Sequence, residues 1–261
     1  MPKQTPHRRG ADRTLTARWI FPVDGPPLER GTVTIRGDRI HAVEPRGQRT
    51  ADEDLGNVAI LPGLVNAHTH LDLSDLRGQV KPQRDFIAWL RAIVAYRRTQ
   101  TLEQAQAAVE RGARECLGFG TTLVGDISAQ GASWDVLRGL PLRAVVFFEL
   151  IGIREERAAQ ALTAARAWLE AIRPTESCRP GLSPHAPYSV GVHLFHEGRR
   201  LARARKLPLA VHLAETSAEI ELLRHRRGPF KTLLQELDAW DPKALPRSPT
   251  AVMRLCAAPV T

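Results

Sequence analysis

After Val58 the sequence settles into an alternation that few folds accommodate. A short apolar run is followed by a longer stretch with helical periodicity, several times over. The apolar runs lie at 58–66, 121–127, 142–150, 180–184 and 208–214. Their length and near-continuous hydrophobicity are those of buried strands. The stretches between them repeat apolar residues on one helix face, as Ala158, Leu162, Ala165, Leu169 and Ile172 do. Thr101 with Gln104, and Thr216 with Glu219, predict capping boxes at two helix starts. Such alternation predicts an α/β fold, a parallel sheet under helices, of the (β/α)8 TIM-barrel type. A closed barrel needs eight strands and five are found, so the expected barrel is incomplete, with about five β/α units. The stretch after Ala239 is short for three more, and 245–261 reads as lacking a strand–helix repeat.

Before Val58 the pattern differs. Residues 14–44 read as short β-rich runs, and Gly37-Asp38 has the form of a hairpin turn. The expected organisation is an N-terminal β-sandwich segment over 1–57 and the barrel over 58–261. The first thirteen residues are basic with no apolar stretch behind them, which reads as a tail and not a secretory signal.

Composition narrows the function classes. No apolar run approaches the roughly 18–20 residues of a membrane-spanning helix, so no membrane partner is expected. Cys116, Cys178 and Cys256 are odd in number and far apart, which argues against a disulfide framework and for a reducing, cytoplasmic setting. The net charge of +9 raises nucleic-acid binding. The arginines, however, are scattered through helical stretches beside alanine, without interleaved aromatics. Solvated helix faces account for them, and no specific nucleic-acid partner is expected.

Candidate chemistry gathers where apolar runs end. LPGLVNAHTHLDLS, 61–74, finishes a strand with His68 and His70. Residues two apart on a strand share a side, so both imidazoles point one way, at the end where parallel barrels keep their active sites. Two imidazoles aimed at one point are half a metal site; the alternative is a hydrogen-bonded pair at a strand end. His212 repeats the arrangement at the end of 208–214. Glu215, three residues on, suits either proton transfer beside such a site or a helix first turn favoured by the dipole. His185, between Pro184 and Pro187, sits in a stiff loop that either holds a ring toward a ligand or forms a structural turn. Asp126 and Glu149 near strand ends read as pocket residues or as partners that fix a histidine tautomer.

PGLVNAHTHLDLS, SPHAPYS and VHLAE, in this order and spacing, resemble the amidohydrolase superfamily in its deaminase and chlorohydrolase branch. NAHTHLDLS is similar to its aminodeoxyfutalosine deaminase-like group. The resemblance runs from about Thr14 to Leu237 and implies a barrel flanked by a small β-sandwich. It implies one divalent metal, zinc or in some members iron, held by His68, His70 and His212. It implies metal-activated water, Glu215 as the proton shuttle and His185 against the substrate. The implied enzyme hydrolyses non-peptide carbon–nitrogen bonds, deaminating a small-molecule substrate, an amino-substituted purine-like heterocycle or nucleoside. A homo-oligomer is common among full-length members. The family also has a histidine after strand six and an aspartate after strand eight, and nothing beyond Glu215 matches either. A second expectation therefore stands beside the first: a C-terminally truncated, catalytically incomplete fragment or pseudo-enzyme.

Overall fold

The computed structural model describes residues 12–81 and 85–257, so nearly all of the basic N-terminal tail lies outside the described residues. The chain divides into two compact units between Gly63 and Leu64. In the first, β1 (Asp12–Thr16), β2 (Trp19–Ile20), β3 (Leu28–Glu29), β4 (Thr32–Arg36), β5 (Arg39–Glu44), β6 (Glu53–Asp54) and β7 (Ala59–Ile60) form two small sheets. Their orders are β5-β4-β1-β6 and β3-β2-β7. The expected hairpin is present, with Gly37-Asp38 joining Arg36 to its antiparallel partner Arg39. Gly37 sits at φ 61°, the left-handed region that two-residue hairpin turns require.

The second unit contains β8 (Leu64–Thr69), α1 (Phe86–Thr99), α2 (Leu102–Gly118), β9 (Thr121–Ser128), α3 (Trp134–Leu137) and β10 (Arg143–Leu150). It continues with α4 (Glu155–Ala171), β11 (Cys178–Pro184), α5 (Val192–Arg205), α6 (Ser217–His225), α7 (Pro229–Glu236) and α8 (Pro249–Cys256). The four strands make one parallel sheet in chain order, β11-β10-β9-β8. Parallel neighbours need long crossovers, and the helices supply them. The apolar stripe of α4, Ala158, Leu162, Ala165 and Leu169, packs with Phe148 and Leu150 of β10, Leu182 of β11 and Leu194 of α5. On the β9 side, Val109 and Ala113 of α2 pack with Val124 and Val146. A third cluster joins Ile87 of α1 to Tyr188 and to Phe230 and Leu233 of α7. The Thr101–Gln104 capping box is complete, each side chain accepting the other's backbone N–H.

Two expectations need correction. The run 58–66 is split at Pro62-Gly63: Ala59–Ile60 pairs with β2 in the first unit, and the parallel sheet starts at Leu64. The stretch 208–214 is not a strand. It runs beside β11 through one bridge, Leu182 to Leu209, and through bonds from Leu182 N to Pro208 O, Ala210 N to Leu182 O and His212 N to His185 O. Pro208 has no N–H to give, and Ala214 turns out of extended backbone at φ 58°. Among the described residues no strand pairs with its far side. Residues 245–257 hold one helix, α8, and no strand, in line with the expected lack of a strand–helix repeat; Val252 of α8 is buried against the α4–α5 cluster.

Among the described residues no helix is long and apolar enough to cross a membrane. All three cysteines are free.

Candidate metal centre

His68 lies near the end of β8 and His70 directly after it. Gly125 on β9 makes room for this strand: a Cβ there would stand 2.3 Å from the Ala67 carbonyl oxygen. His212 approaches from beside β11, its N–H held by the His185 carbonyl at 2.8 Å. The ring of His68 is 5.1 Å from that of His70 and 4.5 Å from that of His212. One nitrogen of each of the three imidazoles lies within 4.8 Å of the others. Nε2 of His212 is buried without a hydrogen-bond partner among the described residues, a costly state for an imidazole nitrogen with no ligand. Burial lowers the pKa of His68, and lowers that of His70 to about 3. Both rings are therefore neutral and have a lone pair to give. Three convergent imidazoles are a donor set that fits zinc.

Glu215 sits beside the triad, its Oε1 3.4 Å from Nδ1 of His212. The other oxygen, Oε2, accepts the Tyr188 hydroxyl at 2.6 Å. Just before it, Ala214 occupies the left-handed region at φ 58°, which costs a non-glycine residue about 1–2 kcal/mol. The buried Glu219 carboxylate offsets this by accepting the N–H groups of Ala214 and Glu215, both at 3.0 Å. The expected Thr216–Glu219 capping box is consequently half formed. Thr216 Oγ1 accepts the Glu219 N–H, while the Glu219 side chain is engaged one turn earlier.

His185 lies 4.8 Å from His212 ring to ring. Its Nδ1 is 2.7 Å from Ser189 Oγ, which leaves Nε2 turned toward Glu149 at 3.8 Å. Burial pushes His185 down to about 4. Of the two carboxylates noted near strand ends, Glu149 faces the histidines. Asp126 instead accepts the Leu71 N–H at 2.8 Å, fully buried behind the turn that follows His70.

One residue of the cluster has no motif to announce it. Arg97 reaches in from α1, donates to Glu149 Oε2 at 2.9 Å, and lies 3.0 Å from Asp72 Oδ2 and 3.3 Å from Nδ1 of His70. Burial raises the Asp72 carboxyl despite Arg97. Burial works to raise the Glu149 carboxyl, but the surrounding His185, Arg97, His70 and His212 hold it below the usual range. The available signal was helical spacing, since Arg97 stands four residues after buried Ile93 on the inward face of α1. An apolar cavity of about 510 Å³ opens beside Arg97 and His185, walled by Ile93, Val94, Phe230 and Leu233, with Arg98 and Arg157 also lining it.

Residues 59–260 match the Amidohydrolase family, and the chain belongs to that family. It is 32% identical over 226 residues to the aminodeoxyfutalosine deaminase of Deinococcus radiodurans, covering 84% of this chain and 53% of that protein. Its fold is similar to that of the Helicobacter pylori aminofutalosine deaminase, with a TM-score of 0.76 at 21% identity over 94% of this chain and 60% of that one. A zinc-bound adenosine deaminase from Xanthomonas campestris gives a TM-score of 0.67 at 24% identity, over 87% and 55% of the two chains. The chain spans about half the length of the curated relatives it matches. The family is metal-dependent and its barrel is of the TIM type.

Proposed function

We propose that this chain carries the metal-holding and proton-shuttling part of a hydrolytic deaminase site for an amino-substituted purine-like nucleoside, such as aminodeoxyfutalosine. Residues 64–261 would hold part of the (β/α)8 barrel, with four of its strands formed, and 1–63 part of the small β-sandwich. The observation that carries the reading is the convergence of three imidazole nitrogens within 4.8 Å, with a carboxylate oxygen 3.4 Å from one of the rings.

His68, His70 and His212 would hold one divalent ion, zinc in preference to iron on the strength of the nitrogen donors. Such an ion supplies a Lewis acid that makes water nucleophilic near neutral pH. Glu215, through Oε1, takes a proton from the attacking water and passes it to the ring nitrogen next to the reacting carbon, then moves the remaining hydroxyl proton of the tetrahedral carbon to the departing amine. His185, its Nδ1 held by Ser189, would stand against the substrate at the carbon that turns tetrahedral. Water adds to the carbon bearing the amino group, ammonia leaves, and a keto heterocycle remains. The rest of the substrate occupies the apolar cavity beside His185. Arg98 and Arg157 line it without a carboxylate partner among the described residues and suit an anionic end group.

Ammonia release from aminodeoxyfutalosine, adenosine and 5'-methylthioadenosine by the zinc-loaded protein tests the proposal. Glu215→Gln is expected to lower kcat about 10²–10⁴-fold. Zinc-loaded protein that releases ammonia from none of the three would overturn it.

A further inference from the structure

We propose that Tyr188 is a positioning residue for Glu215, fixing which carboxylate oxygen handles the proton. The inference rests on the deaminase reading for its consequence and on geometry for its substance. The Tyr188 hydroxyl donates to Glu215 Oε2 at 2.6 Å. That leaves Oε1 as the oxygen facing His212, 3.4 Å from Nδ1. The phenol ring is itself held. It stacks on Phe230 at 4.3 Å with an interplanar angle of 24°, and meets the His185 ring edge-on at 5.6 Å. Phe230 is fully buried in the cluster that ties α7 to the loop after β11.

The arrangement secures Glu215 at both ends. Glu219 accepts its N–H at the backbone, and Tyr188 anchors its tip. A glutamate side chain has three rotatable torsions, and freezing a long side chain costs up to about 1.5–2 kcal/mol. An acid–base residue that must face its proton each turnover gains from having that freedom removed in advance. Tyr188 does not relay the proton. Burial and the adjacent Glu215 carboxylate push its own ionisation far above the ordinary phenol range, so the hydroxyl stays a donor.

The chain has two tyrosines, Tyr96 and Tyr188, which makes the contact directly visible. In protein labelled with 3-fluorotyrosine, Tyr96→Phe assigns the two fluorine resonances. Glu215→Ala should then shift the Tyr188 resonance and leave that of Tyr96 in place; an unmoved Tyr188 resonance overturns the pairing. Tyr188→Phe keeps the ring and its stacking and removes only the hydroxyl. It should lower kcat about tenfold with KM changed less than about twofold, because the lost interaction serves the reacting state and not binding. An unchanged kcat overturns the positioning role. Absence of turnover in the unsubstituted, zinc-loaded protein would instead sink the deaminase reading, and the fluorine shift would still decide the pairing.

Discussion

The middle of the parallel sheet and its two margins are built on different terms. β9 and β10 pair over six consecutive positions, and β10 and β11 over seven. Val124, Ile127, Val146 and Leu150 on the inner strands are fully buried. At one margin, β8 leaves Leu64 and Val65 59% and 62% exposed and pairs with β9 through shifted register. At the other, 208–212 follows β11 through a single bridge. The three imidazoles come from these margins and none from the middle. Packing energy and candidate chemistry are thus separated by position, and a metal bound to His68, His70 and His212 would tie the least regular parts of the sheet together.

The largest expected effect lies in the middle. Phe148→Ala removes a buried ring that packs on Trp168 at 5.3 Å, and should cost about 3–5 kcal/mol in denaturant unfolding. Val65→Ala, a change of similar kind on the marginal strand, should stay within about 0.5 kcal/mol. Equal losses for the two would erase the distinction. Next comes the metal. Zinc at about a hundred times its dissociation constant should raise stability by about 2.7 kcal/mol, since it binds only the folded arrangement. His70→Ala should abolish that increment and leave the metal-free stability nearly unchanged, with calorimetric melts reading both. A metal-free protein destabilised as strongly as Phe148→Ala would place structural weight on the margin.

The same division governs what the sequence makes legible. Strands 121–127 and 142–150 are read within a residue of their bounds because hydrophobic pattern alone builds the middle of a sheet. The parity of His68 and His70 survives because they close a strand, where period two holds. The run 208–214 misleads because its composition is strand-like while its pairing depends on a neighbour, and Pro208 and Ala214 decide its backbone. Arg97 escapes a motif search because its role comes from the docking of α1 over Asp72 and Glu149, a tertiary fact that local sequence does not encode. Tyr188 lies inside SPHAPYS, yet its bond to Glu215 spans 27 positions and appears only when the chain folds.

The smallest predicted effect falls where the two regions meet. Asp126 belongs to β9, in the buried middle, and its carboxylate receives the Leu71 N–H from the turn that follows His70 at the margin. Burial, with Asp72 nearby adding to it, pushes the Asp126 carboxyl up to about 7. A carboxyl that holds its proton more tightly folded than unfolded contributes stability that is full below its unfolded value of about 4. That contribution is lost as pH rises through about 7. Asparagine has the shape of the protonated acid and does not titrate in this range. The stability of the native protein relative to Asp126→Asn should therefore fall by about 1 kcal/mol between about pH 6 and about pH 8, with the asparagine variant gaining at the alkaline end. Urea unfolding of both proteins at the two pH values measures the difference. A pH-independent gap would mean that Asp126 is ionised throughout, and that the link from the middle of the sheet to the His70 turn is a charged hydrogen bond and not a neutral one.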